Sequence, residues 1–420
     1  MDRPVHITHV PRRFVIHEWG GTETFVSEVS IRLKQRGLVP SIHTTKALDP
    51  TKDGSYRGIP IRRYSYSYPY LGLTESDRQQ LDRKAGNLFS WSLLLALLRL
   101  KPVDLFHLHT GKRLGGIVRF CALRKRIPYV VSLHGGYLAV PTAERETWTD
   151  PTRHAVEWGK MLGMLVGSRR VLDDASAIIC VGKDEYDAIR TRYPDKKVVH
   201  LPNGVDLERF GQGQGDSFRG LYGIPLDRFL YVTVGRIDVQ KNQLAVIEHL
   251  PTLLEKVPQA HVLLVGPVTN SGYRDKIVAL AEKLGVSDRV TMLHGFAYDD
   301  TALVDAYHAA DCFVLPSLHE PFGMVVLEAW ASRLPVVAAK VGGLQALIDD
   351  HVDGLFIEPG VSADDPGGLA TAMVALAQDS SLCARLANAG YRKAQQRYSW
   401  DHITDELIDI YRGAYAHTVH

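Results

Sequence analysis

Hydrophobic and polar positions follow two alternating periods along this chain. The short apolar or β-branched runs "PVHITHV", "LVPSIHTT", "DLFHLHT", "PYVVSLHGG", "SAIICVG" and "KVVHLPNGV" each give way to a turn and then to apolar positions at helical spacing. Residues 22–36 and 153–172 are two of the helices this predicts. Runs too apolar to leave one face in water, alternating with helices, predict parallel strands covered on both faces. The rhythm pauses at the Gly-rich stretch "FGQGQGDSFRGLYG" (residues 210–223). It resumes with "FLYVTVGR", "HVLLVGP", "RVTMLHG", "DCFVLPS", "LPVVAAK" and "GLFIEPG". The expected fold class is therefore α/β, with two doubly wound, Rossmann-like domains over residues 1–205 and 206–395. The tail "YSWDHITDELIDIYRGAYAHT" is amphipathic and carries no strand, so residues 396–420 are expected to form a helix that packs back on the first domain.

Composition narrows the class of partner. The 420 residues hold 49 Lys+Arg against 47 Asp+Glu, a formal charge of +2, so no summed field argues for nucleic acid. Four scattered cysteines (Cys121, Cys180, Cys312, Cys383) in apolar surroundings, with no secretory pattern at Met1, read as reduced thiols of a cytoplasmic protein. The greasiest run, "LFSWSLLLALLRL" (residues 88–100), falls short of the ~20 residues needed to span a bilayer and reads as a buried helix. The basic "LRKR" (residues 123–126) reads as a solvated helix end; it is also where a peripheral contact with the inner face of a membrane would fall. Monomer and homodimer both fit the sequence.

Open parallel sheets bind ligands beyond the carboxyl ends of their strands, so chemistry should sit in the loops that follow them. After "VHITHV", Gly20 and Gly21 precede a helix and form a candidate cradle for a phosphate or sugar. After "FLYVTV", Arg236 and Lys241 can meet one diphosphate, Arg with a planar fork and Lys as a point charge. After "DCFVLPS" comes "LHEPFGMVVLEAWASR", where the N–H groups of Phe322, Gly323 and Met324 are expected at an open, anion-attracting helix start. Glu320 lies just before that start and Glu328 inside the helix, so sugar hydroxyls for the first and a ribose for the second are natural partners. A buried carboxylate requires such donors. The pair His107 and His109 alternates on one strand face; with no third ligand nearby in sequence it does not read as a zinc site, and His109, at the strand's carboxyl end, is a candidate to line the cleft. The four tyrosines of "YSYSYPY" (residues 64–70) read as a packing cluster in preference to a sugar platform.

Taken in order, Gly20-Gly21, "HG" at His134-Gly135, "NGVD" at residues 203–206, Arg236 with Lys241, and the two glutamates Glu320 and Glu328 eight apart resemble family 4 glycosyltransferases. That resemblance implies the two-lobed GT-B fold with the sheets facing across a cleft. It also implies a retaining, metal-independent transfer of a hexose from a nucleotide sugar, UDP- or GDP-linked, to an acceptor hydroxyl, with no other cofactor. By the same resemblance Arg236 and Lys241 meet the diphosphate, Glu328 the ribose, and Glu320 with the Phe322, Gly323 and Met324 amides the sugar and distal phosphate. His134 reaches the transferred hexose, and Gly20-Gly21 line the diphosphate. Gly295 and Phe296 wall the base. The loop "PVTNSGY" departs from the family pattern and leaves the base unassigned. The acceptor, whether small metabolite, glycan or lipid-linked saccharide, has no decodable signature. A nucleotide-sugar 2-epimerase and a non-catalytic nucleotide-sugar binder are the competing readings.

Overall fold

The structure is a computed structural model, and it describes residues 3–16, 20–83, 86–135, 152–297, 299–359 and 368–416. The chain divides into two compact units, residues 1–203 with 400–420, and residues 204–399. The boundaries thus fall two residues before, and four residues after, those read from the sequence.

The first unit carries an eight-stranded sheet. Its strands run in the order Val198–His200, Ala177–Cys180, Tyr129–Leu133, Leu105–Leu108, His6–Val10, Val39–Thr45, Ile59–Tyr64, Gly54–Tyr56, and only the last is antiparallel to its neighbour. His6–Val10 is the first strand in sequence and lies inside the sheet. From it the chain moves outward to one side, then returns to pair Leu105–Leu108 on the other. The order therefore reverses between these two strands, which makes the loops beyond them the ligand-presenting ones. Tyr129–Leu133 and Ala177–Cys180 are buried throughout, as apolar strands covered on both faces must be. One face packs Val10, Leu108, Val131 and Ile178 with Leu97, Ile117 and Val118 of the covering helices.

The other face is covered in part by the helix Gly21–Gln35, whose Phe25, Val26, Val29 and Leu33 are fully buried. The C-terminal helix Trp400–Ala416 packs beside it: Phe25 meets the Trp400 ring edge-on at 5.9 Å, and Arg36 pairs with Asp405 at 2.6 Å. The helix predicted over 153–172 does not form as one element. It is broken into a strand Val156–Glu157, a helix Lys160–Leu165 and a short 3-10 turn, because Gly167 adopts φ +63° and Gly159 packs against Pro69 where no side chain fits.

The second unit is a six-stranded, wholly parallel sheet in the order Val290–Leu293, Ala260–Val265, Phe229–Val234, Cys312–Leu315, Val336–Ala339, Leu355–Ile357. Here too the first strand in sequence sits inside, and the order reverses between Phe229–Val234 and Cys312–Leu315. Tyr231, Val262, Leu264, Val314 and Val337 build its core with Ile247, Leu250 and Met373 from the helices. All four cysteines are free thiols, and Cys121, Cys180 and Cys312 are buried. Among the described residues no helix is long and apolar enough to cross a membrane; Trp91–Arg99 instead buries Leu93, Leu94 and Leu97.

Candidate active site

The second unit's reversal point gathers the sequence-predicted residues of two loops. After Phe229–Val234, Gly235 takes φ +151°, a value L side chains rarely adopt, and its carbonyl lies where a Cβ on Gly266 would stand, only 1.8 Å away. Three backbones meet there with no room for side chains, since a Cβ on Gly295 would likewise stand 2.7 Å from Pro267. The chain then makes a short turn, Val239–Lys241, capped by the Asp238 carboxylate, which accepts from the Lys241 N–H at 3.2 Å.

This turn is laced to the loop after Cys312–Leu315. Gln240 O accepts from Leu318 N at 2.8 Å, Gln240 Nε2 donates to His319 O at 3.0 Å, and Asn242 Nδ2 donates to Pro316 O at 3.2 Å. The lacing delivers Lys241 Nζ onto Glu320, forming an ion pair across the reversal point with both side chains about nine-tenths buried. Arg236 stays more open, 43% exposed, held by Gln240 at 3.0 Å and by Asp238 at 3.5 Å.

The helix expected from Phe322 begins two residues later, at Met324. Gly323 is the reason. Its φ of +99° lies outside helical space, and a Cβ there would stand 2.4 Å from Leu344. The consequence favours anion binding, because among the described residues no hydrogen bond takes up the N–H groups of Phe322, Gly323 or Met324. Glu320 O accepts from Gly343 N at 2.8 Å, fixing the loop beside that helix start.

Glu328, one turn into the helix, accepts a hydrogen bond from the Tyr307 hydroxyl at 2.7 Å. Burial raises its carboxyl to about 6, an effect partly offset by the Tyr307 hydroxyl and the Arg209 charge. Tyr307 was not foreseen; it lies on the helix Thr301–His308, twenty-one residues upstream, and no local spacing signals the contact. Phe296 packs near Phe218 and Tyr222, at 6.2 and 6.4 Å between ring centroids, which gives the loop of Gly295 an aromatic backing.

At the first unit's reversal point the chemistry is different. Gly20 caps the helix Gly21–Gln35, its carbonyl accepting from Thr24 N at 2.9 Å, so the Gly-Gly pair does sit at a helix start beyond the first strand. His134 follows Tyr129–Leu133 and joins a chain of imidazoles: its Nε2 lies 3.1 Å from His109 Nδ1, and His109 Nε2 lies 3.1 Å from His9 Nδ1. His107 is hydrogen-bonded separately, to the Tyr411 hydroxyl at 2.6 Å and to Ser132 at 2.7 Å. No third histidine lies near His107 and His109 in sequence, but parallel pairing brings one in from a distance by setting His9 beside His107. Ring nitrogens of His9, His107 and His109 come within 4.8 Å of one another, close enough for a shared metal ion; the His9–His109 hydrogen bond and the parallel register of His9 with His107 also bring them together. Burial lowers all four rings, His9 to about 3 and His134 to about 4, so they are neutral near pH 7.

The tyrosines of residues 64–70 pack inward as expected. Tyr66 and Tyr68 donate to Asp82 at 2.5 and 2.8 Å, and Tyr64 bonds His43 at 2.9 Å. The basic stretch 123–126 ends the helix Lys112–Lys125, where Lys125 donates to Leu98 O and Leu100 O at 3.0 and 2.9 Å.

Comparison with known proteins places this geometry. Residues 216–393 match the profile of "Glycosyl transferases group 1" and residues 19–209 that of "Glycosyltransferase Family 4". D-inositol 3-phosphate glycosyltransferase 2 of Catenulispora acidiphila is 31% identical over 410 residues, covering 93% of this chain and 90% of the relative. The D-inositol 3-phosphate glycosyltransferase of Mycolicibacterium smegmatis is 31% identical over 408 residues, covering 94% and 86%. Among solved structures, Anabaena Alr3699/HepE in complex with UDP and glucose aligns with a TM-score of 0.69 at 19% identity, over 97% of this chain and 99% of that one. Sucrose-phosphate synthase from Thermosynechococcus elongatus aligns at 0.70 and 22%, over 98% and 100%. Two doubly wound units of this kind are the GT-B fold of glycosyltransferases that use nucleotide-sugar donors. The chain belongs to glycosyltransferase family 4, the group 1 glycosyltransferases.

Proposed function

We propose that this enzyme transfers a hexose from a UDP- or GDP-sugar to an acceptor hydroxyl with retention at the anomeric carbon, forming an α-glycosidic bond without a divalent metal. The observation that carries this reading is the Lys241–Glu320 pair, set across the second unit's reversal point beside the free amides of residues 322–324. Breaking the glycosyl–phosphate bond leaves negative charge on the diphosphate, and fixed donors aimed at that charge are the largest help a protein can give. Lys241, Arg236 and the three amides serve the phosphates. Glu320, already turned to a cation, serves sugar hydroxyls, and Glu328 the ribose, with Tyr307 holding its carboxylate. Gly295 and Phe296 wall the base, and Gly20-Gly21 of the first unit serve the diphosphate.

In this mechanism the acceptor oxygen attacks as the phosphate leaves, and the departing phosphate oxygen takes the acceptor's proton, so no side-chain base is required. His134 serves the transferred hexose. The acceptor class favoured by the relatives' names is a polyol phosphate, with D-inositol 3-phosphate the first to try. The reading is tested by incubating the chain with UDP-, GDP- and ADP-hexoses and that acceptor in EDTA, and reading the anomeric configuration of the product by NMR. An α-product from a UDP- or GDP-donor is expected. A β-product, or turnover only after a metal is restored, would overturn the mechanism. Epimerisation of UDP-GlcNAc without acceptor would favour the epimerase reading instead.

A further inference from the structure

One ribbon of the first unit turns its charged side inward and its apolar side out. The strand Val156–Glu157 pairs antiparallel with Tyr70–Leu71, Leu71 opposite Val156 and Tyr70 opposite Glu157. Side chains alternate between the two faces, so Leu71, Val156 and Trp158 share one and Tyr70 and Glu157 the other. The polar face is the inner one. Arg113, whose side chain is 2% exposed, forms an ion pair with Glu157, lies 5.8 Å from the centre of the Tyr70 ring and donates from Nε to Gly159 O at 3.0 Å. A slip of one residue would exchange the faces, and the Arg113 anchor holds the register against it. The helix Lys160–Leu165 continues the pattern. Gly163 is buried and Leu162 packs on the core, while Met161, Met164 and Leu165, three and four positions apart, share the outer side. All six outward apolar side chains are more than half exposed, from 51% at Trp158 to 74% at Met161. A surface built to face water would have the opposite register; a contiguous apolar face of this kind marks a docking site.

Charge identifies what docks there. Between residues 153 and 170 the chain carries four cations, Arg153, Lys160, Arg169 and Arg170, and one carboxylate, Glu157, which Arg113 already holds. Lys160 and Arg169 are exposed, and Arg170 reaches Asp174 at 3.0 Å. A second copy docked face to face about a two-fold axis would set this cationic stretch against its own like. Anionic lipid headgroups over an apolar interior match both the cations and the apolar face. We propose that the outer face formed by Leu71 and residues 156–165 docks the first unit on an anionic lipid surface, with Trp158, Met161, Met164 and Leu165 entering the boundary between headgroups and acyl chains and Lys160 and Arg169 meeting lipid phosphates. The basic stretch 123–126 offers less, because Lys125 is engaged by the carbonyls of Leu98 and Leu100 and Leu123 is its lone apolar residue. None of the docking groups is among those assigned to the nucleotide sugar, so docking and transfer can fail separately.

The test is co-sedimentation of the full chain with vesicles of phosphatidylcholine alone and of phosphatidylcholine mixed with phosphatidylglycerol. Binding to the anionic vesicles is expected to be about tenfold or more tighter than to the neutral ones, and to weaken as salt is added. Met161→Gln with Met164→Gln removes apolar surface without changing charge and is expected to lower that binding about tenfold. Thermal unfolding and nucleoside diphosphate affinity should stay as in the wild type, since both side chains are largely in water. Lys160→Gln with Arg169→Gln is expected to weaken binding about tenfold, whereas Arg124→Gln with Arg126→Gln, the same charge change on another helix end, keeps it within about threefold. A wild type that stays in solution beside anionic vesicles would overturn the docking, as would a folded methionine variant that binds like wild type, or an equal loss from the Arg124, Arg126 pair. A wild-type dimer in sedimentation velocity that the methionine variant dissolves would assign the face to a second copy and overturn the lipid reading. Vesicle binding is read without turnover, so a chain that binds vesicles and transfers no sugar would count against the proposed function while the docking stands.

Discussion

The two units share a strand order about their reversal points and differ in what they place there. In the second unit the loops end in Arg236, Lys241, Glu320 and three unclaimed amides, a set made of charges and fixed dipoles. In the first, the corresponding strand ends carry a row of neutral histidines, of which His109 and His134 pack against Phe25. The same topology thus yields one charged residue set and one neutral one, which on the proposed function serve an ionised phosphate and uncharged hydroxyls, and burial explains much of the contrast. Four imidazoles packed together cannot afford charge, whereas a lysine can be buried when a carboxylate is delivered to it.

The largest effect should come from breaking the charged site. Lys241→Ala removes the proposed phosphate donor and strands Glu320 in a buried position, and is expected to cost about 3 kcal/mol or more in kcat/KM. Initial-rate kinetics checks this, and a variant within twofold of wild type would show that the cation does not meet the diphosphate. Arg236 is more open, so Arg236→Ala should cost less, about 1.5–3 kcal/mol by the same measurement.

Glu328 sharpens the comparison through pH. Its carboxyl is raised to about 6 by burial; if it holds the ribose as proposed, it accepts hydroxyls best when ionised, and calorimetry should show nucleoside diphosphate affinity falling as pH drops through about 6. Glu328→Gln should bind more weakly and lose that part of the pH dependence. Because the folded value lies above the ordinary 4.5, the folded chain holds more protons than the unfolded one between 4.5 and about 6. Stability from this group therefore decreases as pH rises through that window. The smallest effect is expected in the first unit's packing. Tyr66→Phe loses one hydrogen bond to Asp82 and should lower stability by about 1–2 kcal/mol in a denaturant titration, without changing nucleoside diphosphate binding.

The sequence made the charged site more legible than the neutral one, for physical reasons. Arg236, Lys241, Glu320 and the helix start are read from loops that directly follow apolar strands, where local spacing carries the meaning. The strands themselves were visible because parallel strands buried on both faces are continuous apolar runs. What escaped was whatever depends on distant pairing. His9 joins His109 across 100 residues and Tyr307 reaches Glu328 from another helix, and neither contact leaves a local pattern. The helix start at Met324 rather than Phe322 turned on Gly323 taking a left-handed conformation, which a glycine permits but does not announce. The broken segment after residue 152 shows the opposite failure, where helical spacing of apolar residues lost to Gly159 and Gly167.

A crystal structure of the full chain with a bound nucleoside diphosphate tests the central claim most directly. The phosphates are expected within hydrogen-bond distance of Lys241, Arg236 and the amides of Phe322, Gly323 and Met324, with the ribose on Glu328. A diphosphate bound away from the loops after Val234 and Leu315, with Lys241 and Glu320 still joined only to each other, would contradict it.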